Sequence, residues 1–235
     1  VRLNAMLPST NHLLSSLLQS TPEAAEHLER VVLTPGPWPT RGRVDDEGHL
    51  IFLESGLIGL FWPAQPLSGV GMALLGCNAC WSSGFGGVST LQTRVLQAGH
   101  AQSIRWSVLQ DQPQRYAPWL MQTAEASQQL MHQIAQMAFC AANHNFLQRM
   151  SSMLLMMQQN LNCEAEIPVT DLAHGLTCSE GQVRAAAQTL QAHGALMLQL
   201  DGPVGPKLHS LQPRLLASLA CSCHLKLVQR QGANG

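Results

Sequence analysis

At 235 residues the chain is long enough for two compact domains, each with its own core. Only 11% of its residues are charged and the formal net charge is −1, which excludes a global basic field drawing in nucleic acid or acidic surfaces. Seven cysteines at irregular spacing do not suggest a disulfide framework. No apolar run approaches a membrane span and the first residues lack a signal-peptide pattern. A cytoplasmic, reduced protein with no membrane partner is the expectation.

Residues 3–30 read as helices. Leu13, Leu14, Leu17 and Leu18 make one apolar stripe, and Thr21-Pro22-Glu23 marks a helix start with Thr21 as N-cap. From Val31 to about Leu109 the period changes. Short apolar runs (VVL, HLIFLESGLIGLFW, STLQTRVLQA, QSIRWSVL) alternate with Gly, Pro, Asn and Ser clusters, as in an antiparallel sandwich or barrel. Asp45-Asp46-Glu47 reads as a solvated loop.

Trp119 to Leu161 contains no Pro or Gly in 43 residues, which implies one long helix followed by a second. Leu120, Ala124, Ser127, Met131, Ile134, Ala138 and Ala141 repeat at heptad spacing, the seam of a close, modest dimer contact. The same pattern also fits a helix packed on its own domain. Met150, Met153, Met156 and Met157 follow helical spacing and read as core or dimer filler.

The stretch IPVTDLAHGLTCSEGQVRAAAQTLQAHGALMLQL, from Ile167, reads as short helix, tight turn, longer helix and strand. Thr170 is placed to N-cap the first helix, with Asp171 in its opening turn. Leu172, Ala173 and Leu176 share a face. Ser179 is a candidate N-cap for the second helix, where Val183, Ala186, Ala187 and Leu190 form the apolar side, and Gly194 closes it. The pattern describes a winged helix-turn-helix that sets its second helix in a DNA major groove, and equally an unrelated helical hairpin.

That stretch resembles the C-terminal module of the Crp/Fnr superfamily of bacterial transcription regulators. The shared features are the PVT start, the LA pair, a turn ending Cys178-Ser179, Val183 four residues on, and the Leu-x-x-x-Gly close. Glu54-Ser55-Gly56 is similar to the turn that feeds a strand of the family's sensory barrel. Cys140-x-x-Asn143-His144 before Arg149, with Cys221-x-Cys223 near the end, resembles one subgroup. The resemblance implies an α+β chain: an N-terminal antiparallel β-barrel (a cupin-like jelly roll) with flanking helices over 1–117, a dimerisation helix over 118–145, and a winged helix-turn-helix over 146–235. It implies a dimeric, non-enzymatic regulator of double-stranded DNA, with RNA polymerase a further expected partner. An effector or redox signal at the barrel would control it.

The resemblance also fails in places. A cyclic-nucleotide cassette needs a ribose-binding carboxylate, and no Asp or Glu lies between Glu54 and Asp111. Arg94, the one candidate phosphate partner near Gly69–Gly87, reads as a strand residue with its head in solvent. No cofactor is expected and the effector is not legible. Relatives place one Arg after the turn Ser and another after the motif's Val, whereas this chain has Glu180, Gly181 and then Gln182 after Ser179, and Arg184 followed by Ala185 after Val183. From Cys140 onward there are six Arg/Lys against five Asp/Glu, a weak balance for phosphate binding. The DNA-binding residues expected are Thr170, Ser179, Glu180, Gln182, Arg184 and Lys207. The rival reading is a dimeric sensor or scaffold that keeps the fold and has lost DNA readout.

Three groupings have donor spacing: Cys77-x-x-Cys80, Cys140 with His144, and Cys221-x-Cys223-His224. Zinc or an iron–sulfur cluster would need distant pieces brought to one point. Packing accounts for each thiol separately, so no metal is expected. Catalytic motifs such as Gly-x-Ser-x-Gly or His-Glu-x-x-His are absent, and no enzyme is expected.

Overall fold

Asn11 fixes the start of the described chain. Its side-chain oxygen accepts the Leu14 N–H (3.0 Å), capping helix α1 (His12–Ser20), while its side-chain amide donates to the Leu53 carbonyl (2.8 Å). The computed structural model describes residues 9–38, 48–62, 70–83, 91–160, 166–201 and 205–225. The acidic run 45–47, the glycines of 84–87 and residues 202–204 lie outside these. The chain falls into two compact units, Val1–Ile58 with Leu75–Leu130, and Gly59–Leu74 with Met131–Gly235.

After α1, Pro22–His27 forms a 3-10 turn. Thr21 holds the N-cap position with Pro22 directly after it, as expected, but makes no side-chain capping bond. Its hydroxyl accepts the indole N–H of Trp119 instead (3.3 Å). The chain is already a strand at Glu29. β1 (Glu29–Leu33), β2 (Gly36–Trp38) and β3 (His49–Leu53) follow, then β4 (Leu57–Trp62), β5 (Val70–Leu75), β6 (Cys80–Ser83), β7 (Gln92–Gln97) and β8 (Gly99–Arg105). One antiparallel sheet runs β1-β8-β3-β6, with Ile51 opposite both Trp81 and Ser103, and β2 pairs with β7.

The turn Glu54-Ser55-Gly56 requires its glycine. Gly56 has φ 92°, and a Cβ there would meet the Gln97 carbonyl at 2.8 Å. Gly99 is tighter still, since a Cβ would lie 2.2 Å from the Ser55 carbonyl. The Ser55 hydroxyl accepts the His100 N–H (3.1 Å) and meets its ring Nδ1 (2.8 Å), while Glu54 takes the Ser9 hydroxyl (2.8 Å). These contacts lock the turn onto β8. The run QSIRWSVL, read as a strand, divides at Arg105. Trp106–Asp111 is helix α2, and the Trp106 indole donates to the Ser82 hydroxyl (2.6 Å).

The core of the first unit gathers Leu14, Leu17, Leu50, Phe52, Ile104 and Leu109 around Trp119, which is fully buried. Trp119 packs edge-on to Phe52 (5.7 Å between centroids) and to Tyr116 (6.2 Å). It sits in the first turn of α3 (Ala117–Asn143), and no other residue of that 27-residue helix is buried. Along the heptad seam Leu120 and Ile134 are half-buried, and Ala124, Ser127, Met131, Ala138 and Ala141 are exposed.

In the second unit α4 (Phe146–Asn160) is the central helix. All eight residues from Met150 to Met157 are buried, so its methionines are core. β9 (Ile167–Pro168) leads into α5 (Val169–Leu176), and α6 (Glu180–Ala192) follows a left-handed Thr177 (φ 54°). Gly175 lets α5 approach α4, since a Cβ would lie 3.0 Å from the Met153 sulfur. β10 (Met197–Gln199) and β11 (Lys207–His209) pair antiparallel, with β9 on the other side of β11. α7 (Pro213–Leu219) packs on α4. No helix among the described residues is long and apolar enough to cross a membrane.

Candidate nucleic-acid interface

The N-terminus of α6 is built by its own sequence. The Ser179 hydroxyl accepts the Gln182 N–H (3.3 Å), and the Gln182 side-chain oxygen accepts the Ser179 N–H (3.0 Å). This reciprocal capping box satisfies two backbone donors that the first turn leaves open. At the far end Ala195 N–H reaches the Leu190 carbonyl (2.9 Å) and Gly194 N–H reaches Gln191 (2.8 Å), with Gly194 at φ 71°. That is a Schellman close. Val183, Ala186, Ala187 and Leu190 are buried as their period requires.

The expected DNA-facing residues fare differently. Ser179 and Gln182 are exposed at the start of α6, but the Gln182 side-chain oxygen is occupied by the cap. Arg184 is turned back along its helix, with Nη1 3.4 Å from the Glu180 carboxylate. Lys207, on β11, pairs with Glu166 (2.6 Å). Thr170 is half-buried in the first turn of α5 and does not cap it. Pro168 holds the cap position with no side-chain bond, and the Val169 N–H donates to the Pro206 carbonyl (3.0 Å). Proline's fixed φ and extended ψ of 137° let the strand β9 run straight into the helix, so no hydroxyl cap is called for. The outward face of α6 therefore offers Gly181, Gln182, Ala185, Gln188, Thr189 and Ala192, none of them charged. Arg94 is half-buried on β7 opposite Pro37, rather than holding its head in solvent.

The cysteines separate into two kinds. Cys77 and Cys80 do not act together. The Cys77 thiol donates to the Glu54 carbonyl (3.3 Å), and Cys80 is buried, which pushes its thiol up. By contrast, Cys140 on α3 and Cys221 and Cys223 beyond α7 bring their sulfurs within 4.8 Å of one another, with Cys140 Sγ 3.4 Å from Cys221 Sγ. The Ser152 hydroxyl stands 3.0 Å from Cys221 Sγ. Burial, then contact with Cys221, pushes the Cys140 thiol up, and the same two causes raise Cys223. For Cys221, burial works upward but is outweighed by Ser152 and the backbone at Cys223, and its thiol is drawn down. His144 stands apart, edge-on to Phe139 (6.0 Å). His224 is buried, its Nδ1 2.7 Å from the Cys221 carbonyl.

A cavity of about 60 Å³ opens beside this cluster, lined among others by Cys140, Cys223, His224, Arg149 and Thr177. The Arg149 guanidinium lies over the Phe146 ring (5.6 Å), and its Nε is buried with no hydrogen-bond partner among the described residues. Thr177 places the cavity against the turn between α5 and α6.

No protein-family model and no curated protein matches the chain. Solved structures do. FixK2 from Bradyrhizobium japonicum superposes with a TM-score of 0.62 at 11% identity, over 83% of this chain and 98% of that one. The c-di-GMP responsive global regulator CLP from Xanthomonas campestris gives 0.61 at 16% identity, over 82% and 99%. A CRP-family transcriptional regulator from Thermus thermophilus gives 0.58 at 12% identity, over 82% and 96%. The resemblance read from the sequence is thus carried by the fold along most of the chain.

Proposed function

We propose that this chain, which has the fold of the Crp/Fnr transcription regulators, is itself a DNA-binding transcription regulator. The observation that carries the reading is the α5–turn–α6 unit, capped at both ends of α6 and backed by the β10-β11-β9 sheet. In this reading it is a winged helix-turn-helix, α6 enters the major groove, and the exposed heptad seam of α3 joins two copies. A dimer then meets a palindrome whose half-sites lie about one helical turn apart. Gln188 suits adenine through its amide, Gln182 does so once its oxygen leaves the cap, and Arg184 reaches phosphate once it leaves Glu180. An effector acting on the first unit would shift the helix pair and with it that spacing.

One observation favours a second reading, a dimeric sensor or scaffold without DNA readout. The fully exposed residues of α6 are uncharged, and the two basic candidates for DNA contact, Arg184 and Lys207, are ion-paired. Titration of random-sequence duplex DNA at about 50 and 200 mM salt, followed by selection of bound sequences, separates the two, because phosphate contacts give a steep salt dependence. A selected palindrome whose binding weakens in Arg184→Ala supports the regulator. Absence of binding by an intact dimer at the lower salt supports the scaffold.

A further inference from the structure

We propose that Cys140, Cys221 and Cys223 form a binding site for one thiophilic d10 metal ion, Zn²⁺ or Cu⁺, which ties the C-terminal segment to the end of α3. The three donors come from segments 81 residues apart, yet their sulfurs lie within 4.8 Å of one another. Sulfurs bound at about 2.3 Å to a tetrahedral zinc stand about 3.8 Å apart, so this spacing surrounds a single ion. A [4Fe–4S] cluster sets each cysteine on its own iron and spreads the sulfurs wider. Soft thiolates select this class of ion over magnesium or calcium.

The surroundings fit the charge and the coordination. Three thiolates with Zn²⁺ leave one net negative charge, and Arg149 lines the adjoining cavity with a buried Nε that lacks a hydrogen-bond partner among the described residues. The Ser152 hydroxyl, 3.0 Å from Cys221 Sγ, is the kind of hydrogen bond that orients a ligand. Cys140 and Cys223 both face the cavity, whose volume of about 60 Å³ admits water, leaving a fourth position open. As each metal–sulfur bond forms, its thiol proton passes to the buffer, and no electron is transferred. The site stands whether or not the chain binds DNA, since it uses none of the residues assigned to that role.

The test uses the full chain, reduced and stripped with chelator. Zn²⁺ is titrated against a colorimetric chelator, Cu⁺ against a Cu⁺-specific one, and Co²⁺ serves as a spectroscopic probe. One equivalent of Zn²⁺ or Cu⁺ per chain is expected, with intense sulfur-to-cobalt charge transfer in the Co²⁺ form. Cys140→Ala, Cys221→Ala and Cys223→Ala should each weaken binding at least tenfold, and Cys77→Ala should bind as the parent does. A readout that needs no variant is alkylation of the parent chain followed by peptide mass spectrometry, where bound metal should protect residues 140, 221 and 223 and leave Cys77 unchanged. No uptake of either ion by the reduced chain overturns the proposal. So does uptake without protection of these three thiols, or a Cys140–Cys221 disulfide as the only change observed.

Discussion

Replacing Glu180 by glutamine changes the electrostatics of the proposed recognition helix at one atom pair. In the native chain the Glu180 carboxylate lies 3.4 Å from Arg184 Nη1, with both side chains about two-fifths exposed (42% and 41%). Glutamine removes a charge that repels phosphate and releases the arginine toward it. In a dimer that adds about two phosphate contacts. At a slope near −0.9 per contact, log K against log salt steepens by about 1.8, an extra loss of about 12-fold between 50 and 200 mM salt. Binding at 50 mM should be tighter than in the parent. The folded chain loses an exposed i,i+4 pair and an acidic group at a helix N-terminus, together about 1 kcal/mol, so a melting temperature lower by about 3 °C should accompany the gain. Fluorescence anisotropy on a selected duplex at four salt concentrations gives the slope. An unchanged slope, or weaker binding at every salt, would refute the idea that Arg184 is withheld from phosphate by Glu180.

Three further outcomes follow from the packing. Ser179→Ala should cost about 1 kcal/mol through loss of the capping box, read as earlier thermal unfolding, whereas Thr170→Ala should not show a cap-sized loss. Gly99→Ala would push a methyl into the Ser55 carbonyl, and about 3 kcal/mol or more of destabilisation is expected in a denaturant melt; a neutral result would contradict the described turn. Met131→Glu places a charge at an exposed seam position (69% exposed) and should convert dimer to monomer in sedimentation velocity with the helix content unchanged.

What was legible in the sequence was local. Ser179, read as an N-cap, fixed the start of α6, Gly194 fixed its end, and the uninterrupted run after Trp119 fixed α3 and α4, whereas the return bond from Gln182 to Ser179 appears only in the structure. What was not legible depended on partners distant in sequence. The alternation of QSIRWSVL continues past Arg105, so nothing local announces α2; Ser82 receives the Trp106 indole 24 residues earlier in the chain. Thr21 has the composition of a cap and gives its oxygen to Trp119, 98 positions away. Lys207 reads as a free phosphate contact until Glu166 is brought across from 41 residues back. The cysteines are the clearest case. Each spacing taken alone fits ordinary packing, and only the fold shows that Cys140 joins the C-terminal pair while Cys77 and Cys80 do not.

The four methionines of α4 give the second unit a chemically soft interior. Met150, Met153, Met156 and Met157 are all buried, at the point where α5 and α7 pack. Unbranched thioethers refill a space by rotating about three bonds, so a neighbouring helix can shift slightly without opening a void of the kind a branched aliphatic would leave. The same sulfurs are oxidisable, and a sulfoxide is a larger, polar group that the packing around α4 would have to accommodate. Peroxide reaching α4 would therefore loosen the platform under the helix pair from within, a route to inactivation that leaves every exposed residue of α6 chemically intact.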